Sequence, residues 1–215
     1  MKNILSKVIT GVFVVGSITL AQAQKADAKS TQILDKVSSK YKSNKNTYFK
    51  FTYGSGSNGK ISKNETGIFY TTPTKHKLKI MGIEQIFDGN KIYNISAEDQ
   101  EITIAKGNGS EMMFSPTNYL NTYKKEYNTT YVGRKTVAGK SVDQVKLVPI
   151  KANGIKQVDI YVDTVKNQLV KVEQYSSDND IATITIQDYK VNQNLSSSTF
   201  TFNKNNYKNY LITEL

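Results

Sequence analysis

From Lys75 to Met81 the chain alternates: Lys75, Lys77 and Lys79 fall on one side, and His76, Leu78 and Ile80 on the other. A two-residue period with one charged and one apolar side fits a strand with one wet and one buried face, and does not fit a helix. The pattern recurs along the chain. Tyr48 to Tyr53 places Phe49, Phe51 and Tyr53 on one side, and Thr66–Thr71, Gln85–Phe87, Lys91–Ile95 and Glu101–Ala105 follow. Further runs lie at 127–135, 141–149, 155–163, 168–175 and 181–191, with a last extended piece at Thr199–Phe202. Gly54-Ser55-Gly56-Ser57-Asn58-Gly59 breaks one run, and Asp88-Gly89-Asn90, Asn167 and Asp178-Asn179-Asp180 mark turns. About eleven short strands at such intervals, with no strand–helix–strand alternation, predict an antiparallel sandwich or barrel, not a parallel sheet.

Two stretches keep a helical period instead. Ile33, Leu34, Val37 and Tyr41 share one face of a helix over 29–43, with Asp27 or Ser30 as its cap. Such an apolar stripe needs a partner, so the helix should lie on the sheet or plug it. Tyr119, Leu120 and Tyr123 are spaced for a shorter helix starting near Pro116, just after Met112, Met113 and Phe114.

The first residues read as an address. Lys2 and Lys7 precede an apolar run from Val8 to Leu20, and Ala21-Gln22-Ala23 gives the small-x-small pattern of a cleavage site. The run falls short of the roughly 20 residues that a membrane span needs. Residues 1–23 are therefore expected to be a signal peptide removed after Ala23, leaving 24–215 as one exported domain. No cysteine is present, which excludes disulfides, thiolate metal sites, a cysteine nucleophile and a lipidated cysteine. The net charge of +11 falls to +9 without Lys2 and Lys7. Export argues against nucleic acid, and the lysines are scattered, so they read as a solvated surface.

Motifs with chemical meaning are few. Gly54, Gly56 and Gly59 fit G-x-G-x-x-G, but no helix pattern follows to hold a pyrophosphate, so a hairpin loop is expected. His76 is the single histidine. Without a G-x-S-x-G elbow it reads as a wall residue near a sheet edge, not as a catalytic base. Asp178 and Asp180 lack the other ligands of a calcium loop, and Glu98, Asp99 and Glu101 show no acid/base pairing. No enzyme activity, metal or cofactor is expected.

What remains is apolar. Phe49, Phe51, Ile68, Tyr70, Leu78, Ile80 and Phe87 are strand positions, with Ile92 and Ile95 beyond them. Met112, Met113, Phe114, Tyr119 and Leu120 belong to the inserted helical piece. An ordinary core explains them. A curled sheet, however, encloses more volume than two or three helices easily fill, and adjacent methionines repack around variable ligands.

The order of features resembles the outer-membrane lipoprotein carrier (LolA-like) family over almost all of residues 24–215. The resemblance rests on Phe49-x-Phe51, on Gly67-x-Phe69-Tyr70 followed by Pro73, and on the Phe87-Asp88-Gly89-Asn90-Lys91-Ile92-Tyr93 turn. It continues through Ser115-Pro116 with Tyr119-Leu120, Val145–Pro149, Asp159–Asp163, Leu169–Lys171 and Phe200-Thr201-Phe202. Each motif is short, and their shared order carries the likeness.

The resemblance implies a mainly β fold with some helix: a single unclosed antiparallel β-barrel whose concave face is covered by helices. It implies a monomeric periplasmic carrier that holds lipoprotein acyl chains in a hydrophobic cavity and ferries them from an inner-membrane donor complex to an outer-membrane acceptor. Phe49, Phe51, Ile68, Tyr70, Leu78, Ile80 and Phe87 would then line the sheet side, under a lid of Met112, Met113, Phe114, Tyr119 and Leu120. A carrier of another lipid, or a sensor domain on the same fold, is the alternative. One position departs from the family: Thr72 stands before Pro73, where proteobacterial members carry an arginine that tethers the lid.

Overall fold

The computed structural model describes residues 27–107, 115 and 117–215. The cleavage site and the lid residues Met112, Met113 and Phe114 lie outside them, as does Pro116. The described chain opens with helix α1 (Ala28–Ser43). Strands β1 (Thr47–Ser57), β2 (Lys60–Thr71), β3 (His76–Ile80), β4 (Ile83–Phe87), β5 (Lys91–Ser96) and β6 (Glu101–Lys106) follow. Helix α2 (Asn118–Glu126) leads into β7 (Tyr127–Val137), β8 (Lys140–Pro149), β9 (Ile155–Asp163), β10 (Gln168–Ser176) and β11 (Asp180–Val191). Two short 3-10 turns (Ser197–Phe200 and Lys204–Tyr207) precede β12 (Leu211–Glu214).

Among the described residues, all twelve strands form one sheet, in the order β12-β6-β5-β4-β3-β2-β1-β11-β10-β9-β8-β7. Its end strands, β12 and β7, do not pair with each other, so the sheet stays open. Neighbours are antiparallel, apart from β12, which lies parallel to β6. The expected runs at 127–191 appear as β7–β11 with small changes at their ends. The glycine stretch does not interrupt its strand as the sequence suggested. Gly54 and Gly56 stay in β1, hydrogen-bonded on both sides, and the turn itself is Asn58-Gly59, with both φ angles positive (51° and 74°). This is the two-residue hairpin geometry that Asn-Gly favours. The extended piece expected at Thr199–Phe202 is instead largely a 3-10 turn, and the polar tail beyond it holds a strand.

Both helices lie on one face of the sheet. Leu34 and Val37 of α1 pack with Phe49, Phe51, Phe69 and Leu78, all fully buried, and with Val145, Leu147, Val158, Ile160 and Val162 of the far wing. α1 is fastened at both ends. Asp27 caps it by accepting from Lys29 N (3.0 Å), and its other carboxylate oxygen accepts from Tyr131 N of β7 (2.8 Å). These backbone donors hold its carboxyl below the usual range. Near the far end, the Tyr41 hydroxyl accepts from Leu169 N of β10 (2.9 Å). Ser38 Oγ donates to Leu120 O of α2 (3.1 Å), and Tyr123 of α2 donates to Asp35 of α1.

The outer face carries a second core. On the β4–β6 wing, Ile86, Ile95, Ile102 and Ile104 point away from the helices and are buried beneath Phe202, Tyr207 and Tyr210 of the C-terminal segment. Phe202 stacks on Tyr93 with ring centroids 4.6 Å apart. The inner face of the same wing is more polar, with Gln85 Nε2 donating to Asn94 Oδ1 (2.7 Å).

Candidate functional site

Beneath the middle of α1 the inner-face side chains Phe49, Phe51, Phe69 and Leu78 are fully buried. Space opens beside its C-terminal end. There a cavity of about 640 Å³ lies between α1 (Ser38, Tyr41, Lys42), the β2–β3 turn (Thr71–Lys75), the end of β4 (Phe87) and α2 (Leu120, Asn121). Tyr41, Phe87 and Leu120 supply the bulky apolar wall, and the rim is made of threonines, asparagines and two lysines. The volume falls within the 300–1,000 Å³ of small-molecule sites.

His76 lines this cavity at the start of β3, held between the rings of Phe69 (6.2 Å) and Phe87 (5.4 Å). β3 is flanked by β2 and β4, so His76 sits at the end of an interior strand and not at a sheet edge. Burial pushes its pKa down, partly offset by a hydrogen bond with Gln85, and its Nε2 has no partner among the described residues. Among those residues no carboxylate orients the ring, and no cluster of acids and histidine could hold a metal.

No protein-family model matches the sequence, and no curated protein matches it. Solved structures do match. A conserved protein of Thermus thermophilus, described as uncharacterized, superposes with a TM-score of 0.61 at 9% identity, over 87% of this chain and 99% of that one. MucB superposes at 0.51 and 14% identity, over 82% of this chain and 64% of MucB. A LolA superfamily protein, NE2245 from Nitrosomonas europaea, gives 0.42 and 10%, over 80% and 97%. Identities this low speak of fold alone. The open antiparallel sheet with helices across one face is the architecture that the sequence resemblance implied. The fold is shared with the Thermus protein and with MucB.

The open sheet sorts the expected wall residues by register. Phe49, Phe51, Leu78 and Ile80 face inward and are buried, and Phe87 reaches the cavity. Ile68 and Tyr70 do not join them: Phe69 is the inward residue, opposite Phe49 on β1 and Leu78 on β3. Tyr70 is on the outer face, against Tyr48 (4.7 Å), and Ile68 pairs there with Lys79. On α2, Leu120 is buried at the cavity, while Tyr119 packs against Tyr127 (5.8 Å) and donates to Gln174. Reading from sequence overlooks Tyr41, Lys42, Lys75 and the inward role of Phe69. For Phe69, pairing with Phe49 across the hairpin is the signal that would have found it.

Thr72, at the departure from the LolA-like pattern, closes its own turn. Its hydroxyl accepts from Lys75 N (2.9 Å) and Thr74 N (3.3 Å), and its amide donates to Lys75 O (2.8 Å). Among the described residues these bonds stay within the turn and reach neither helix. No described helix is long and apolar enough to cross a membrane.

Proposed function

We propose that this chain is an exported carrier without enzymatic activity. It would shelter the acyl chains of a lipoprotein or another lipid on the helix-covered face of its sheet, and ferry them across the periplasm toward the outer membrane. The observation that carries this reading is the cavity at the end of α1, of ligand size and backed by Tyr41, Phe87 and Leu120, on a LolA-like fold. Burying each methylene contributes roughly 0.8 kcal/mol, so a short length of tail gives useful affinity, and hand-over needs an acceptor that binds the tail better. The close-packed middle of the inner face directs the tail to the cavity instead of under α1. Met112, Met113 and Phe114, adjacent in sequence to α2, would complete the cover.

Asn121 is exposed at the rim. Asn121→Trp should plug the mouth without touching the core. Titration of the secreted protein, expected to begin at Gln24, with a fluorescent fatty acid should then show affinity lower by about tenfold, with an unchanged circular dichroism spectrum. The reading fails if the unaltered protein neither binds the probe nor yields lipid to mass spectrometry after extraction.

The full burial of the side chains at the centre of the inner face favours a second reading, a sensor or interaction domain that binds a protein and transports nothing. MucB, similar in fold, has been crystallised with MucA(peri). Recovery of one stoichiometric protein partner, free of lipid, would select this alternative.

A further inference from the structure

The rim of the cavity has a sign. Lys42 lines it from the end of α1 and Lys75 from the β2–β3 turn. No aspartate or glutamate is among the described lining residues. Neither lysine forms a salt bridge among the described residues, although ion pairs occupy lysines elsewhere, as where Lys77 and Lys79 share Glu84 at 2.7 Å each. The nearest acids are already engaged. Asp88 accepts from Asn90 N, Lys91 N and Tyr93 Oη, and Asp35 holds Tyr123 and Lys124, so Lys75 and Lys42 act on these carboxylates through space without an ion pair. The stem of Lys75 runs over Gly89, where a side chain would begin only 3.8 Å from its Cε. Deeper in, the lining turns apolar at Phe87 and Leu120.

Two ammonium groups outside any salt bridge among the described residues, above an apolar wall, match an amphiphile with a negative head and a hydrocarbon tail. The diacylglyceryl end of a lipoprotein is uncharged and would leave both lysines unused. We propose that this cavity selects acyl lipids with an anionic head, a carboxylate or a phosphate, held between Lys42 and Lys75. The inference rests on the carrier reading and narrows its cargo. Phosphate and carboxylate suit these lysines equally, because ammonium groups act as point charges without the fixed fork of an arginine.

The test is displacement of a neutral fluorescent probe from the full secreted chain by lipids matched in tail. Oleate is compared with oleyl alcohol, lysophosphatidic acid with lysophosphatidylcholine, and inorganic phosphate is run alone. The anionic member of each pair should displace the probe at concentrations about tenfold lower, with the gap narrowing as salt screens the charges. In the Lys42→Ser/Lys75→Ser double variant the ratio within each pair should collapse toward one, and Lys75→Glu should reduce it as well. Equal displacement by anionic and neutral lipids overturns the head-group assignment and leaves the carrier reading standing. Displacement by no lipid at all removes both. Phosphate acting at the same concentration as the lysophospholipid would make this a site for a free anion and overturn the lipid assignment.

Discussion

Gly67 shows how much one missing atom decides. It lies opposite Phe51 on the neighbouring strand, and the Phe51 ring covers it so closely that a Cβ would fall 2.4 Å from Cζ. Phe51 is fully buried beneath the helices and has no free volume to retreat into. Gly67→Ala should therefore lower stability by about 1–3 kcal/mol, the cost of overpacking a filled core, read as a lower midpoint in urea at an unchanged slope. The same strand shows where single-residue reading stops. Ile68, Phe69 and Tyr70 are three bulky neighbours, so period two says that they alternate but not which of them faces inward. Pairing with β1 settles that, and a slip of one residue would exchange the two faces. The cavity rim was harder still to foresee. Lys42 and Thr72 come from a helix end and a turn, where no periodicity marks a side chain as pointing anywhere, and Lys75, which the alternation set beside Lys77 and Lys79, precedes the strand and lines the cavity instead.

Among the elements, α1 is the one whose attachment can be tested by pH. Its first turn depends on the Asp27 carboxylate, which accepts backbone N–H groups from α1 and from β7. The folded protein holds this carboxyl below its ordinary value of 3.8. The charged form thus contributes stability that is complete above the unfolded pKa and is lost as pH falls through the folded one. Compared with Asp27→Asn, which keeps a capping oxygen but no charge, the native protein should be more stable by about 0.5–1 kcal/mol at neutral pH. That margin should close as pH falls below the ordinary 3.8 and through the lowered folded value, and it should shrink in high salt, since the group is near the surface. Thermal melts of both proteins at neutral pH and across the acid range check it. The helices and β7–β11 were legible in the sequence, because turn residues bracket each strand and the 3.6-residue stripe of α1 is uninterrupted. β12 was not, because Leu211–Glu214 is a short run whose strand character comes only from the edge of β6 beside it.

Across the whole molecule the sheet changes which side it buries. From β7 to β3 the fully buried apolar side chains face the helices; from β4 to β6, Ile86, Ile95, Ile102 and Ile104 face the other way, toward the C-terminal segment. Alternation marks such strands without indicating which layer covers them, so the second layer was not foreseen. Phe202, half-buried between Tyr93 and Tyr207, keeps the second layer in place. Phe202→Ala should cost about 2 kcal/mol, below the 3–5 typical of a fully enclosed phenylalanine. It should also raise light scattering on heating as the isoleucine row is bared.

The anchoring of α1 at both of its ends has a mechanical consequence. On the carrier reading, a rod pinned at Asp27 and again at Tyr41 would resist swinging like a door, and a hydrocarbon guest would enter lengthwise, past the tip of the rod. Among the described residues, the part of that doorway tied only to itself is the Thr72–Lys75 turn. On that reading the small loop would serve as the latch, and how far it yields would set how thick a guest the doorway admits.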